Sequence, residues 1–240
     1  MTDSERAPWL SVVVPAFDEE ENLPTLHREI SAALDKLAKP AEIVFVDDGS
    51  RDGSLRLMHE LAAEDPRVRV VALDGNHGQS AALEAGFHAA RGDVVATLDA
   101  DLQNDPADIP RLLAHLDSAD VVNGVRADRR DTLVRKLSSR IGNGFRNWAT
   151  GESVTDVGCS LRVMRAAPLR RVKLFRGMHR FLPTLLRMEG ATVMEVPVSH
   201  RPRIHGQSKY GIGNRLFTGL RDVFAVRWMQ SRALRYRLKD

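Results

Sequence analysis

Only one cysteine, Cys159, occurs in the 240 residues. That excludes an internal disulfide framework and fits a reducing cytosol. With no activating partner beside it, Cys159 reads as a packing residue and not a nucleophile. Aromatics are scarce, with three Trp, two Tyr and eight Phe, and they do not interleave with cations as a base-stacking platform requires. Nucleic acid is therefore not an expected partner. No stretch reaches the ~18 apolar residues needed to span a bilayer, and residues 1–8 are polar and acidic, unlike a signal peptide. Gly-x-Gly-x-x-Gly is missing after the first apolar run, which counts against a dinucleotide dehydrogenase. Repeats and low-complexity tracts are also lacking.

The net charge of +3 hides a strong asymmetry. Residues 1–120 hold 10 Lys and Arg against 24 Asp and Glu, a balance of −14; residues 121–240 hold 25 against 8, a balance of +17. Such a split implies two environments on one molecule, an acidic half suited to a cation and a basic half suited to anions. Anionic lipid or a lipid phosphate fits the basic half better than nucleic acid does.

The sharpest motif is Asp99-Ala100-Asp101-Leu102-Gln103, which follows the apolar run Val94-Val95-Ala96-Thr97-Leu98. The run reads as a buried strand of a parallel sheet, and ligands of open α/β sheets gather at carboxyl ends of strands. In an extended segment Asp99, Asp101 and Gln103 fall on one side. Oxygen ligands of this kind suit Mg2+ or Mn2+ bridging phosphates. The plainer reading is a solvated acidic turn before Pro106.

Two further apolar runs end in the same manner. Leu10 to Val14 leads into Pro15-Ala16-Phe17-Asp18-Glu19-Glu20-Glu21-Asn22-Leu23, and Glu42 to Val46 leads into Asp47-Asp48-Gly49-Ser50. Asp48 can accept hydrogen bonds from a nucleobase edge or ribose hydroxyls, or it can simply close a turn. Strands over 67–73 and 119–123 and helices over 22–38, 54–63, 79–90 and 107–116 complete a βα alternation. The fold class is α/β, a mostly parallel, doubly wound sheet flanked by helices. The turn Asn76-His77-Gly78 offers backbone N–H groups to a phosphate or, more plainly, starts a helix.

Six segments in order now resemble a family. Pro15 to Leu23, Val46 to Ser50 and Asp99 to Gln103 resemble the family 2 glycosyltransferases of the GT-A fold. Asn123-Gly124-Val125-Arg126, Thr155 to Arg162 and His200 to Tyr210 narrow this to the polyprenyl-phosphate branch, which contains dolichol-phosphate mannose synthases and undecaprenyl-phosphate sugar transferases. The resemblance covers about residues 10–228. It implies metal-dependent, inverting transfer of a hexose from a nucleotide-diphosphate sugar to a polyprenyl phosphate at the cytoplasmic membrane face. It puts the metal on Asp101 and Gln103, with Asp99 holding sugar or ribose hydroxyls. Pro15, Phe17, Glu19, Val46, Asp48 and Ala100 carry over as donor contacts. A cationic cradle of Arg126, Arg203 and Lys209, with Ser208 donating a hydrogen bond, is expected to receive the acceptor phosphate. Arg201 shares this work or is solvated, and Asp156 supports the sugar or the metal loop. Phe17 and Asp18 stand where relatives usually carry Tyr and Asn. Cys159-Ser160 replaces a more usual Gly-Phe, which leaves mannose, glucose or an amino sugar open.

Two helices in the basic half are amphipathic. Over 132–149, Leu133, Leu137, Ile141, Phe145 and Trp148 share a face flanked by Arg135, Lys136, Arg140 and Arg146; over 213–228, Leu216, Leu220, Val223, Phe224 and Trp228 do so among Arg215, Arg221 and Arg227. Such helices lie in a membrane interface or pack on a sheet. The expected organisation is a tail over 1–9, a catalytic domain over 10–211 including the first amphipathic helix, and the second helix with a basic tail over 212–240. Peripheral attachment to the membrane surface, aided by a separate membrane protein, follows. The rivals are a transferase with a saccharide or other acceptor, and a non-catalytic nucleotide-sugar-binding subunit of a membrane complex.

Overall fold

The structure, a computed structural model, describes residues 7–126, 133–203 and 215–234; for 133–141 and 215–218 it describes the helical backbone alone. The chain falls into two compact units, one of residues 1–129 and 156–207, the other of 130–155 and 208–240.

The first unit is built on a seven-stranded sheet. Its strands are β1 (Leu10–Ala16), β2 (Ala41–Asp47), β3 (Val68–Ala72), β4 (Val94–Thr97), β5 (Val121–Arg126), β6 (Arg162–Arg165) and β7 (Val193–Val198), in the order β3-β2-β1-β4-β6-β5-β7. All pairings are parallel except those of β6, which runs antiparallel to both β4 and β5. β1 is buried at every position, as a mostly apolar strand covered on both faces is; its one polar residue, Ser11, donates to Glu42 and accepts from the Gly92 N–H. Helices α1 (Leu23–Leu34), α2 (Ser54–Glu64), α3 (Gln79–Ala89), α4 (Ile109–Leu113), α6 (Ala166–Leu169) and α7 (Leu182–Met188) belong to the same unit.

Alternation along β1 explains the two covered faces. Val12 and Val14 join Leu23, Leu26 and Ile30 of α1 in the main core cluster. Val13 points the other way, to Gly86 of α3. A Cβ at Gly86 would lie 2.3 Å from Val13 Cγ1, so the bare glycine lets α3 approach the sheet. One topological consequence positions the site. Because β6 alone is reversed, the carboxyl ends of β1, β2, β4, β5 and β7 and the amino end of β6 share one edge.

The second unit consists of α5 (Leu133–Thr150) and α8 (Arg215–Arg232), which pack on each other. The Phe145 ring lies 6.0 Å from Trp148 and 6.3 Å from Phe224 by centroid. Val223 and Val226 are buried, whereas Trp148, Phe224 and Trp228 are 80%, 63% and 64% exposed. Arg146, expected among the lipid-facing cations, is instead buried. Its guanidinium donates to the Val154 carbonyl and to Asn147 Oδ1, so it pins the turn after α5. The side chains of Leu133, Arg135, Lys136, Leu137, Arg140, Ile141, Arg215 and Leu216 lie outside the described residues. Among the described residues, no helix is long and apolar enough to cross a membrane.

Candidate active site

The acidic loop after β4 carries the expected residues in an unexpected conformation. The strand stops at Thr97, and the segment turns instead of staying extended. Leu102 has φ +59, a left-handed conformation that costs a branched residue about 1–2 kcal/mol. Its buried side chain joins the core cluster, which holds the kink in place. The turn, rather than strand alternation, brings Asp101 and Gln103 together, and the Gln103 N–H donates to Asp101 Oδ1 at 3.1 Å. Gln79, the first residue of α3, donates its side-chain amide to Asp99 Oδ1 at 2.7 Å. Desolvation and the neighbouring Asp101 carboxylate push the Asp99 carboxyl up to about 6.

Ser160 braces both ends of this loop. Its hydroxyl accepts from the Asp99 N–H at 3.1 Å and donates to Asn104 Oδ1 at 2.9 Å, while its carbonyl accepts from the Thr97 hydroxyl at 2.7 Å. Cys159 is buried beside it; burial pushes its thiol up, and its Sγ lies 3.7 Å from Asn104 Nδ2. Each lost side-chain hydrogen bond is worth about 0.5–1.5 kcal/mol. Ser160→Ala is therefore expected to weaken Mn2+ binding by about tenfold and to lower Tm by only a few degrees, at ~2–4 °C per kcal/mol. Calorimetric titration and melting check the pair; unchanged Mn2+ affinity would remove the bracing role.

From the far side of the sheet, the chain after β7 reaches the same loop. Arg203 Nη2 donates to Asp101 Oδ2 at 2.6 Å. The Arg201 N–H donates to the Gln103 carbonyl, and Asn104 forms an antiparallel bridge with His200. Arg201 is already engaged by carboxylates. Its guanidinium is shared between Glu29 of α1 and Asp105, and two carboxylates neutralise it. It clamps the strand end to the loop.

Arg126 and Asp156 also have partners that the sequence did not assign. The Arg126 fork meets Asp156 through Nε–Oδ2 at 2.7 Å and Nη2–Oδ1 at 2.8 Å, and the Arg126 N–H adds a third bond. This bidentate pair ties the end of β5 to the 156–160 turn, so Arg126 enters the site with its charge already offset. A Cβ on Gly158 would sit 2.7 Å from Arg126 Nη2, which explains the glycine.

Asp48 has a structural task as well. It is buried, and its two oxygens accept from the N–H groups of His77 and Gly78. The His77 and Gly78 amides of the turn before α3 thus serve Asp48. In the first loop, Asp18 has φ +51, a conformation that Asp and Asn tolerate best. Its N–H and Oδ1 bond Ser50 Oγ and the Arg51 N–H, locking the loop after β1 to the one after β2. Glu19 accepts from Asn22 Nδ2 at 2.6 Å, and Phe17 is partly exposed at the same edge. Pro15 pairs with Val46 in the sheet; Val46 and Ala100 are buried in the core. Ser208 and Lys209 lie outside the described residues.

Residues without a role in the sequence reading complete the floor. Arg162 is 4% exposed and donates to neutral acceptors, Asn123 Oδ1 at 2.7 Å and the His179 and Val157 carbonyls. Burial pushes the His179 imidazole down to about 3, and its Nδ1 faces Ser80 Oγ at 2.8 Å. Gln79 and Ser160 carried one signal each, a polar residue opening a helix after glycine and a departure from the usual Gly-Phe.

A cation fits the loop. Asp101 already holds one, the Arg203 guanidinium, and Gln103 adds a neutral oxygen on the same turn. Mg2+ and Mn2+ are commonly held by one or two carboxylates together with substrate phosphates. Among the described residues no three His, Cys, Asp or Glu side chains come together as a group that could hold a metal by itself.

Comparison with known proteins agrees with this architecture. An undecaprenyl-phosphate 4-deoxy-4-formamido-L-arabinose transferase of Edwardsiella ictaluri is 42% identical over 215 residues, 88% of this chain and 66% of that protein. The protein of that name from Pectobacterium atrosepticum is 45% identical over 204 residues, 84% of this chain and 62% of its own. The chain therefore spans less than two thirds of these relatives' length. Glucosyl-3-phosphoglycerate synthase from Mycobacterium tuberculosis, solved with phosphoglyceric acid, superposes with a TM-score of 0.67 at 20% identity, over 97% of this chain and 83% of that one. Its complex with Mn2+, UDP and glucosyl-3-phosphoglycerate gives 0.63 at 19% identity, with the same coverage. The shared architecture is the GT-A-like α/β fold. The profile of glycosyl transferase family 2 matches residues 11–173, from the first buried strand past the Ser160 brace, and the chain belongs to that family.

Proposed function

We propose that the protein transfers a sugar from a nucleotide-diphosphate sugar to undecaprenyl phosphate, the acceptor named for its relatives. The observation that carries this reading is the meeting of Arg203 with Asp101, which puts a cation of the His200–Tyr210 motif against the carboxylate loop. One edge can then handle both the phosphates of a donor and the phosphate of an acceptor.

Asp101 and Gln103 would hold Mg2+ or Mn2+, which supplies charge neutralisation on the departing diphosphate. Asp99, fixed by Gln79 and the Ser160 brace, orients sugar hydroxyls. Phe17 stacks on the nucleotide; UDP is the nucleotide bound in the solved neighbours. The acceptor phosphate has a second pKa near ~6 and is ionised at neutral pH, so no general base is needed. Arg203 and Lys209 offset repulsion between the two anions, with Ser208 donating. Attack opposite the nucleotide inverts the anomeric centre.

The sugar is proposed to be a 4-formamido pentose, as in the relatives' name, in place of the hexose expected from sequence. Work at the cytoplasmic membrane face is supported by the exposed Trp148, Phe224 and Trp228, with a separate membrane protein as a further partner. The test offers detergent-solubilised protein radiolabelled UDP-sugars and undecaprenyl phosphate. Label should enter the lipid phase from UDP-4-deoxy-4-formamido-L-arabinose. Label from UDP-glucose alone would restore the hexose reading, and none from any donor would favour the non-catalytic subunit.

A further inference from the structure

Arg203 is assigned to the acceptor phosphate, yet in this structure it sits on the carboxylate assigned to the metal. The contact is short, 2.6 Å from Nη2 to Asp101 Oδ2, and half-sheltered, the two side chains being 29% and 10% exposed. Each Asp101 oxygen already accepts a hydrogen bond, Oδ2 from Arg203 and Oδ1 from the Gln103 N–H. Nor does Arg203 reach the loop by chance. Arg201, two residues earlier, is fixed by Glu29 and Asp105, and its N–H is bonded to the Gln103 carbonyl.

We propose that Arg203 is an internal stand-in for the divalent cation, a latch that occupies Asp101 until donor and metal arrive. The proposal rests on the metal-dependent reading above. A divalent ion held by Asp101 would compete with the Arg203 guanidinium for the same carboxylate charge. A guanidinium and a divalent ion on one partly buried oxygen repel strongly, so Arg203 must leave when the site is loaded. The displaced guanidinium, released from Asp101, can then take the acceptor phosphate with its fork of donors. The acceptor phosphate thus meets a free Arg203 only after the donor complex has formed. Binding order is written into one ion pair, and the acidic loop is neutralised in the interval.

A latch makes a prediction that a simple phosphate contact does not. Removing Arg203 should strengthen metal binding while impairing transfer. The experiment titrates the full chain with Mn2+ in saturating UDP, without acceptor, following free Mn2+ by electron paramagnetic resonance. Arg203→Ala and Arg203→Gln are each expected to bind Mn2+ about fivefold tighter or more, the range of ordinary coupling between sites. Circular dichroism melts verify folding, and Arg203→Gln carries the comparison if the alanine variant melts without cooperativity. Equal or weaker Mn2+ binding by the folded variants overturns the latch and leaves the metal reading intact. Failure of wild type and variants alike to bind Mn2+ overturns both.

Discussion

Asp101→Asn should lower sugar transfer by about three orders of magnitude or more, because losing ~4 kcal/mol of transition-state stabilisation costs that much. The amide keeps an oxygen to accept from the Gln103 N–H but presents no negative charge to a divalent ion. Its volume matches that of aspartate, so the core around Leu102 is undisturbed. What the fold loses is the Arg203 ion pair, a partly exposed contact worth at most about 1 kcal/mol. Rate and stability should therefore separate widely. Initial rates in Mg2+ and Mn2+, set beside calorimetric melts, provide the check. Near-wild-type turnover in the variant, or turnover of the native protein in EDTA, would remove Asp101 from the metal site.

The second large effect concerns the α5–α8 unit. Replacing Trp148, Phe224 and Trp228 together with serine should reduce partition onto anionic vesicles by about a hundredfold, given ~1.5–3 kcal/mol for each large apolar side chain fully removed from water and only part of that at an interface. The structure decides which residues to choose. Val223 and Val226 face inward and are spared, whereas the three targets stand 64% exposed or more, or nearly so for Phe224 at 63%. Because Trp148 and Phe224 also touch the Phe145 ring, circular dichroism melts must show a cooperative fold for the comparison to count. Co-sedimentation with phosphatidylglycerol vesicles measures the loss, and UDP binding should be unchanged. Exposed Arg221 and Arg227 add a term that salt screens, so residual binding should fall further at high ionic strength. Unaltered partition would place the membrane contact elsewhere.

How much of this was legible in the sequence depended on the source of each constraint. β1, β2 and β4 were visible because a strand buried on both faces is rich in apolar, β-branched residues, and each ended in acidic or turn residues. β6 was not, since Arg-Val-Met-Arg resembles a surface segment; Arg162 is tolerated in the sheet because Asn123 and two carbonyls satisfy its guanidinium. β7 was hidden by Pro197, which an edge strand accommodates. Within the site, residue chemistry was legible but pairing was not. Arg126 and Asp156 are 30 positions apart and individually suited to ligands, and only the folded chain joins them. The left-handed turn at Leu102 likewise has no local signal, because leucine is a residue that avoids it. In the α8 segment the apolar period grouped Val223 with Phe224 and Trp228 and left out Val226, whereas the structure buries both valines and exposes both aromatics.

Thr97, Arg162 and Asn123 lie on one rung across β4, β6 and β5. With strands ~4.8 Å apart, the ladder fixes the separation of the carboxylate loop from the end of β5 at roughly 10 Å, whatever sugar is handled. The sheet is in that sense a gauge. A lineage that changes its sugar cannot widen the gap without breaking the hydrogen-bond ladders on both sides of β6. It must recut the loops that stand on the rung, and the Gly158–Ser160 turn, which props the carboxylate loop from beneath, is where such divergence would be recorded.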